Sequence, residues 1–275
     1  MTIDSHQHFW NYDPAKDSWI TDEMGVLRNN FTPHDLKPIL DSNQIDGCVL
    51  VQVNQSEKEN DSLLKMAEVN DFIQGVVGWV DLRAEDIQER LAYYASFKKL
   101  KGFRHIVQGE PDDRFLLHSD FMRGVSELQR FNFTYDILIY PRQLPAAIEF
   151  VKKFPKQKFA IDHLAKPEIK KGNIQSWKKD ILEIAALKNV YCKISGMVTE
   201  ADWQKWTHAD IEPYLDVVFE SFGIDRLMYG SDWPVCLLAG SYEKQLSIIK
   251  SYIISLSAVE QNKIMGANAI NFYNL

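Results

Sequence analysis

The sequence predicts a (β/α)8 TIM barrel in a single domain spanning residues 1–275, with extra C-terminal helices. Three observations predict it. Short apolar, β-rich segments alternate with longer helical ones about eight times along the chain. Most of the short segments are continuous apolar runs, as parallel strands covered on their outer side require. No Gly/Ser-rich linker, repeat or composition break divides the 275 residues, a length ordinary for one barrel of ~250. The competitor is an open doubly wound sheet. No Gly-x-Gly-x-x-Gly follows a strand, so the dinucleotide form of that fold lacks its phosphate turn.

The elements follow in order. The first strand is read at Ile3–Phe9. The connection Trp10–Phe31 is long, and its Trp10, Tyr12 and Trp19 predict an ordered loop folding over the barrel mouth. Thr32-Pro33-His34-Asp35 opens the helix Asp35–Ser42 with an N-cap, a proline at the first position and an acid two residues later. The second unit is Gly47–Val53 and Glu57–Phe72, the helix preceded by a capping box at Ser56-Glu57-Lys58-Glu59. Gln74–Leu82 with Glu85–Phe97 and Lys101–Val107 with Ser119–Phe131 form the third and fourth. Phe133–Tyr140 leads through Pro141 into Gln143–Phe154. Lys158–His163 with Ile174–Leu187, and Asn189–Ser195 with Ile211–Phe222, precede the eighth strand, Arg226–Asp232. Tyr242–Leu275 supplies the additional helices, one with a capping box at Ser257-Ala258-Val259-Glu260.

Composition narrows the function. Hydrophobic content of 45% and charged content of 25% allow a sizeable core and exclude disorder. A net charge of −7 argues against a nucleic-acid partner and against docking on anionic lipid. No stretch approaches the ~20 apolar residues that cross a bilayer. Three scattered cysteines, Cys48, Cys192 and Cys236, read as buried thiols in a reducing compartment. With no leader pattern at the start, a cytoplasmic protein is expected.

Parallel strands should be apolar in their middles, so polar groups gathered at strand ends need a use. Barrel chemistry sits at the C-terminal ends. There the sequence places His6 and His8, Asp81 and Arg83, Arg104 and His105, Tyr135 and Asp136, Asp162 and His163, Lys193 and Ser195, and Ser231, Asp232 and Trp233. His6 and His8 are two apart on a strand and point the same way. Arg104 is expected inward rather than His105, and His163 rather than Asp162, because neighbours on a strand face opposite sides. Lys193 is expected to pair with a carboxylate, and Asp136 is either that kind of partner or a substrate contact. Asp81 and Arg83 read as a loop ion pair. Cys236 has no evident base beside it and reads as inert. His34, His118 and His208 read as exposed.

His6-Gln7-His8-Phe9-Trp10, Lys101-Gly102-Phe103-Arg104-His105, Asp162-His163 with Lys166-Pro167, Lys193-Ile194-Ser195-Gly196, Gly230-Ser231-Asp232-Trp233-Pro234 and Ile264-Met265-Gly266-Ala267-Asn268-Ala269 occur in that order. With this set the chain resembles the amidohydrolase superfamily, specifically its amidohydrolase-2 branch of sugar and dicarboxylate lactonases. The resemblance implies a (β/α)8 barrel and a carboxylic ester hydrolase that opens an L-fucono- or L-rhamnono-type lactone. It implies Asp232 as the base that activates water, with His6, His8, Arg104 and His163 around the carbonyl, and Trp10, Asp136 and Trp233 as substrate contacts. A binuclear centre is not implied, because Arg104 and Asp136 or Tyr135 stand where metal-rich members carry ligands. The site is then either metal-free or holds one Zn²⁺ on His6, His8, His163 and Asp232. The expected partner is a small sugar lactone, with a homo-oligomer an open alternative. The alternatives are a pyrone or muconolactone dicarboxylate lactonase, which needs several convergent arginines, and a metal-dependent aromatic-acid decarboxylase.

Overall fold

The computed structural model describes residues 1–275. Its eight strands are β1 (Ile3–Gln7), β2 (Gly47–Val51), β3 (Ile73–Gly78), β4 (Leu100–His105), β5 (Thr134–Ile137), β6 (Phe159–Ile161), β7 (Val190–Ile194) and β8 (Leu227–Tyr229). They pair in chain order, all parallel. The ring closes beyond the ends of β8 and β1, where His8 N donates to Trp233 O at 2.7 Å and Asp232 N to His6 O at 2.8 Å. This closure rules out the open sheet. Every predicted strand is present, and each is trimmed at its C-terminal end, where the chain turns away to carry polar groups.

The outer helices are α1 (Pro33–Ser42), α2 (Glu57–Val69), α3 (Ile87–Tyr94), α4 (Ser119–Leu128), α5 (Leu144–Lys153), α6 (Gln175–Ala185), the short α7 (Met197–Glu200) and α8 (His208–Phe222). Beyond the eighth strand lie α9 (Tyr242–Tyr252), α10 (Ala258–Asn262) and α11 (Asn268–Tyr273), as the sequence predicts. The capping boxes at Thr32 and Ser257 form. The one expected at Ser56 does not: the Glu59 carboxylate instead accepts the Val53 and Asn54 amides, holding the loop that leaves β2.

Period-two alternation divides the core. Cys48, Leu50, Phe103, Tyr135, Ile161 and Cys192 face the helices in one large apolar shell. Ile3, Val49, Val51, Val77, Ala160 and Met228 face the axis, where Phe272 and Tyr273 of α11 close the lower end. The apolar interior therefore fills only the lower barrel, and the upper barrel is left to charged and imidazole side chains.

The Trp10–Phe31 connection is ordered. Trp10 and Phe31 exchange backbone hydrogen bonds at 3.0 and 2.8 Å, and Trp10 packs edge-on against Phe31 and Trp19. All three cysteines are free and buried, and burial pushes their thiols up. No helix is long and apolar enough to cross a membrane.

Candidate active site

Six of the eight strands bring polar groups to one place. His6 and His8 do face the same way, with their Nε2 atoms 3.1 Å apart. His8 Nδ1 sits 2.8 Å from the Val51 carbonyl, which only accepts, so Nδ1 carries the proton and Nε2 the lone pair. Asp232 Oδ1 lies 3.5 Å from His8 Nε2, 3.8 Å from His163 Nε2 and 3.9 Å from His6 Nε2. His163 Nδ1 is fixed by Ser195 Oγ at 2.8 Å. One carboxylate is thus ringed by three imidazoles.

A second layer lies beneath. Arg104 Nη1 reaches His6 Nε2 at 3.3 Å and donates to Asp162 Oδ2 at 3.0 Å. Lys193 Nζ lies 3.1 Å from His6 Nδ1, 2.9 Å from Asp162 Oδ1 and 2.5 Å from Asp136 Oδ2. Tyr273 donates its phenolic proton to Asp136 at 2.7 Å from below. Lys193, Asp136, Asp162 and His6 are all fully buried.

Electrostatics sorts the groups. Burial pulls the His163 imidazole down to about 4. Burial and then the Lys193 charge hold His6 well below its ordinary value. Burial alone would raise Asp232, but the imidazoles around it outweigh that and keep its carboxyl below the usual range. The directions agree on one state at neutral pH, an ionised Asp232 beside neutral His6 and His163.

These groups open into a cavity of about 450 Å³. Its wall includes His8, Arg104, His163 and Asp232, the loop residues Trp10, Trp19 and Met24, and Gln108, Tyr140, Lys166, Glu200 and Trp203. A larger cavity of about 690 Å³ lies at the N-terminal end of the barrel, lined by Lys101, Lys158 and Asn271–Asn274. It carries none of the strand-end groups, so the smaller cavity is the candidate site.

The structure corrects three expectations. Asp162 also points inward, following Ala160 by alternation. His163 reaches the axis only because His163, Leu164, Ala165 and Lys166 all adopt left-handed backbone. The strand rule stops at Ile161, so both residues of the pair are used. Asp136 does not touch the cavity; it is buried against Lys193 and Tyr273. Trp233 faces away from the axis and packs on Phe9 and Phe31, while Trp10 does line the cavity. Arg83 pairs with Asp81 and Arg142 with Asp113, which leaves Arg104 as the single arginine on the wall. His105 points outward to Glu110 and Trp79. Sequence reasoning noted Lys166 only as part of a motif and missed Glu200, Gln108 and Trp203. Burial pushes the Glu200 carboxyl up. Burial also weakens the Lys166 ammonium, but Glu200, Tyr140 and Asp232 more than restore its charge.

The donor set fits a cation. Ligands at the corners of a tetrahedron around an ion bonded at ~2.0–2.2 Å lie ~3.3–3.6 Å apart. His6, His8 and Asp232 form one compact donor set whose separations of 3.1, 3.5 and 3.9 Å bracket that value, with His163 a further 3.8 Å from Asp232, and the His8 lone pair points at its neighbours. The second cluster, His6 with Asp162 and His163, fits poorly, because Arg104 and Lys193 already neutralise Asp162.

A family model described as amidohydrolase matches residues 3–275. An L-fucono-1,5-lactonase of Burkholderia multivorans is 40% identical over 286 residues, covering 100% of this chain and 96% of that protein. A second L-fucono-1,5-lactonase, from Burkholderia ambifaria, is 34% identical over 280 residues, covering 99% and 95%. A crystal structure of a Burkholderia multivorans amidohydrolase with bound zinc superposes with a TM-score of 0.97 at 40% identity, covering 100% of this chain and 99% of that one.

Proposed function

The chain belongs to the amidohydrolase family, and from that premise we propose that it is a lactonase that opens a neutral sugar 1,5-lactone, of the L-fucono type, to the sugar acid. One observation carries the reading: an ionised Asp232 within 3.5–3.9 Å of three imidazoles, on the wall of a sugar-sized cavity that also holds Arg104. The relatives named above give the substrate class.

Asp232 takes a proton from water as the water oxygen bonds to the lactone carbonyl carbon. Arg104 and His163 face the oxygen on which negative charge develops, while the Nε2 lone pair of His8 faces the Asp232 side of the site. The acyl carbon–ring oxygen bond then breaks, and the proton held on Asp232 passes to the ring oxygen. Water is consumed and one hydroxy acid is formed. His6, fixed between Lys193 and Asp162, holds the floor of the site. A divalent cation, zinc by the chemistry of the donors, would be held by His6, His8, His163 and Asp232 and would supply Lewis-acid polarisation of the carbonyl. A dicarboxylate substrate finds one arginine on the wall, and the wall's lysine, Lys166, is already paired with Glu200, so the dicarboxylate reading is disfavoured.

The test is hydrolysis of L-fucono-1,5-lactone followed with a pH indicator, with and without chelator. Asp232→Asn should lower kcat by about 10²-fold or more, the scale of losing a general base. A purified chain that opens no aldonolactone, metal-loaded or not, refutes the function. An Asp232→Asn variant at wild-type turnover refutes the base.

A further inference from the structure

Part of the cavity wall takes no part in that chemistry. Lys166 and Glu200 form an ion pair there, Nζ to Oε1 at 3.2 Å, with side chains only 18% and 20% exposed. The backbone at Lys166 is left-handed, the fourth consecutive non-glycine residue so held, and the same turn aims His163 at the axis. Such conformations cost free energy and persist where the surroundings demand them. A nearly buried ion pair gives a fold little that apolar residues would not. Stability alone therefore accounts poorly for a strained turn that delivers a lysine to this wall. Close by, the amide oxygen of Gln108 is buried on the same wall with no hydrogen-bond partner in the protein.

Together these groups offer donors and acceptors to one ligand. The Lys166 ammonium has three protons and Glu200 occupies one direction. The carboxylate and the Gln108 oxygen accept. A hydroxyl both donates and accepts, so adjacent hydroxyls on a ring satisfy such a set, and an apolar ring cannot. The pair is neutral overall, which suits an uncharged ring rather than an anion. Tyr140, whose face lies 5.6 Å from the ammonium, limits where Lys166 can swing.

We propose that Lys166, Glu200 and Gln108 read the hydroxyl groups of the substrate ring, and so determine specificity for polyhydroxylated lactones. This rests on the lactonase reading and deepens it. The experiment compares kcat/KM on L-fucono-1,5-lactone with kcat/KM on δ-valerolactone, the same ring without hydroxyls. Lys166→Met, Glu200→Gln and Gln108→Leu are measured beside the wild type, with circular dichroism as the fold check. Each should lower the ratio of the two values by about 10–100-fold, the scale of losing a hydrogen bond to a charged or buried partner. Lys166→Arg should recover part of the loss. Gln108→Leu removes an atom with no partner in the protein, so the comparison does not depend on the ion-pair variants folding. Ratios within threefold of wild type in all three variants overturn the proposal while leaving the lactonase reading intact. A wild-type chain inactive on both lactones overturns that reading instead.

Discussion

Replacing Lys193 with methionine should destabilise the protein as much as a severe core truncation does, although it removes almost no volume. The stem is conserved in length, so little volume is lost. What is lost is the charge that answers two fully buried carboxylates, Asp136 at 2.5 Å and Asp162 at 2.9 Å. Asp162 keeps Arg104, and Asp136 keeps only the Tyr273 hydroxyl. Breaking a buried pair from one side costs about 3–5 kcal/mol. Over 275 residues, an unfolding entropy of ~2.1 cal/mol/K per residue gives ~0.6 kcal/mol/K, so Tm should fall by about 5–9 °C. Differential scanning calorimetry measures the shift, and urea unfolding should show a lower midpoint at an unchanged slope. Adding Asp136→Asn to Lys193→Met removes the stranded charge and should recover part of the loss. A single variant melting within ~2 °C of wild type, or a double variant less stable than the single, would refute the assignment of Lys193 as the charge that holds the barrel interior together.

Other outcomes follow from the same geometry. Burial pushes the Glu59 carboxyl up to about 7 from 4.5, so the folded state favours its protonated form. Its contribution to stability is then fully present below 4.5 and is lost as pH rises through about 7. The Tm of wild type minus that of Glu59→Gln should fall across that window, and parallel curves would exclude Glu59 as the cause. In Gly124→Ala the added Cβ would meet the Leu82 carbonyl oxygen at 1.9 Å, a backbone atom that cannot rotate aside. A loss of about 1–3 kcal/mol is expected from chemical denaturation, and a neutral result would show that α4 slides freely. The three buried thiols should ignore a thiol reagent in the native state and react fully in denaturant. Fast native labelling of Cys236 would contradict its packing.

Much of this molecule is legible in the residue order. Eight apolar runs separated by helical periods suffice to specify the barrel, because parallel strands buried on both faces leave few alternatives. Arg104 inward, His6 with His8, and Lys193 paired to a carboxylate also follow from strand periodicity and the cost of burying charge. The legibility stops where the strands do. Nothing local announces that four consecutive non-glycine residues after Asp162 adopt left-handed backbone, so periodicity puts only one of Asp162 and His163 at the axis. Asp136 is ambiguous for a different reason. Its second partner, Tyr273, comes from the far end of the chain and enters the barrel from below, and no periodicity carries that information. Glu200 gives no signal, because a lone glutamate at a helix end is ordinarily solvated.

The buried charges explain why Asp232 differs from the other two carboxylates. Arg104 and Lys193 are the cations of the interior, and they contact Asp162 and Asp136 directly. Lys166 is matched by Glu200 at the wall. Asp232 is left with imidazoles alone, none closer than 3.5 Å. With neutral histidines the three carboxylates and two cations of the central cluster therefore sum to one negative charge, and it sits at the end open to the cavity. Asp136 and Asp162 are fully buried and off the cavity wall, so no water reaches them. Asp232 is set apart by access and not by basicity, since the imidazoles hold its carboxyl below the usual range. The same arithmetic makes its ring of imidazoles the place in the central cluster where an added cation meets an unanswered negative charge. With a cation or without one, the lower layer satisfies Asp136 and Asp162, so that the free charge stays at the mouth.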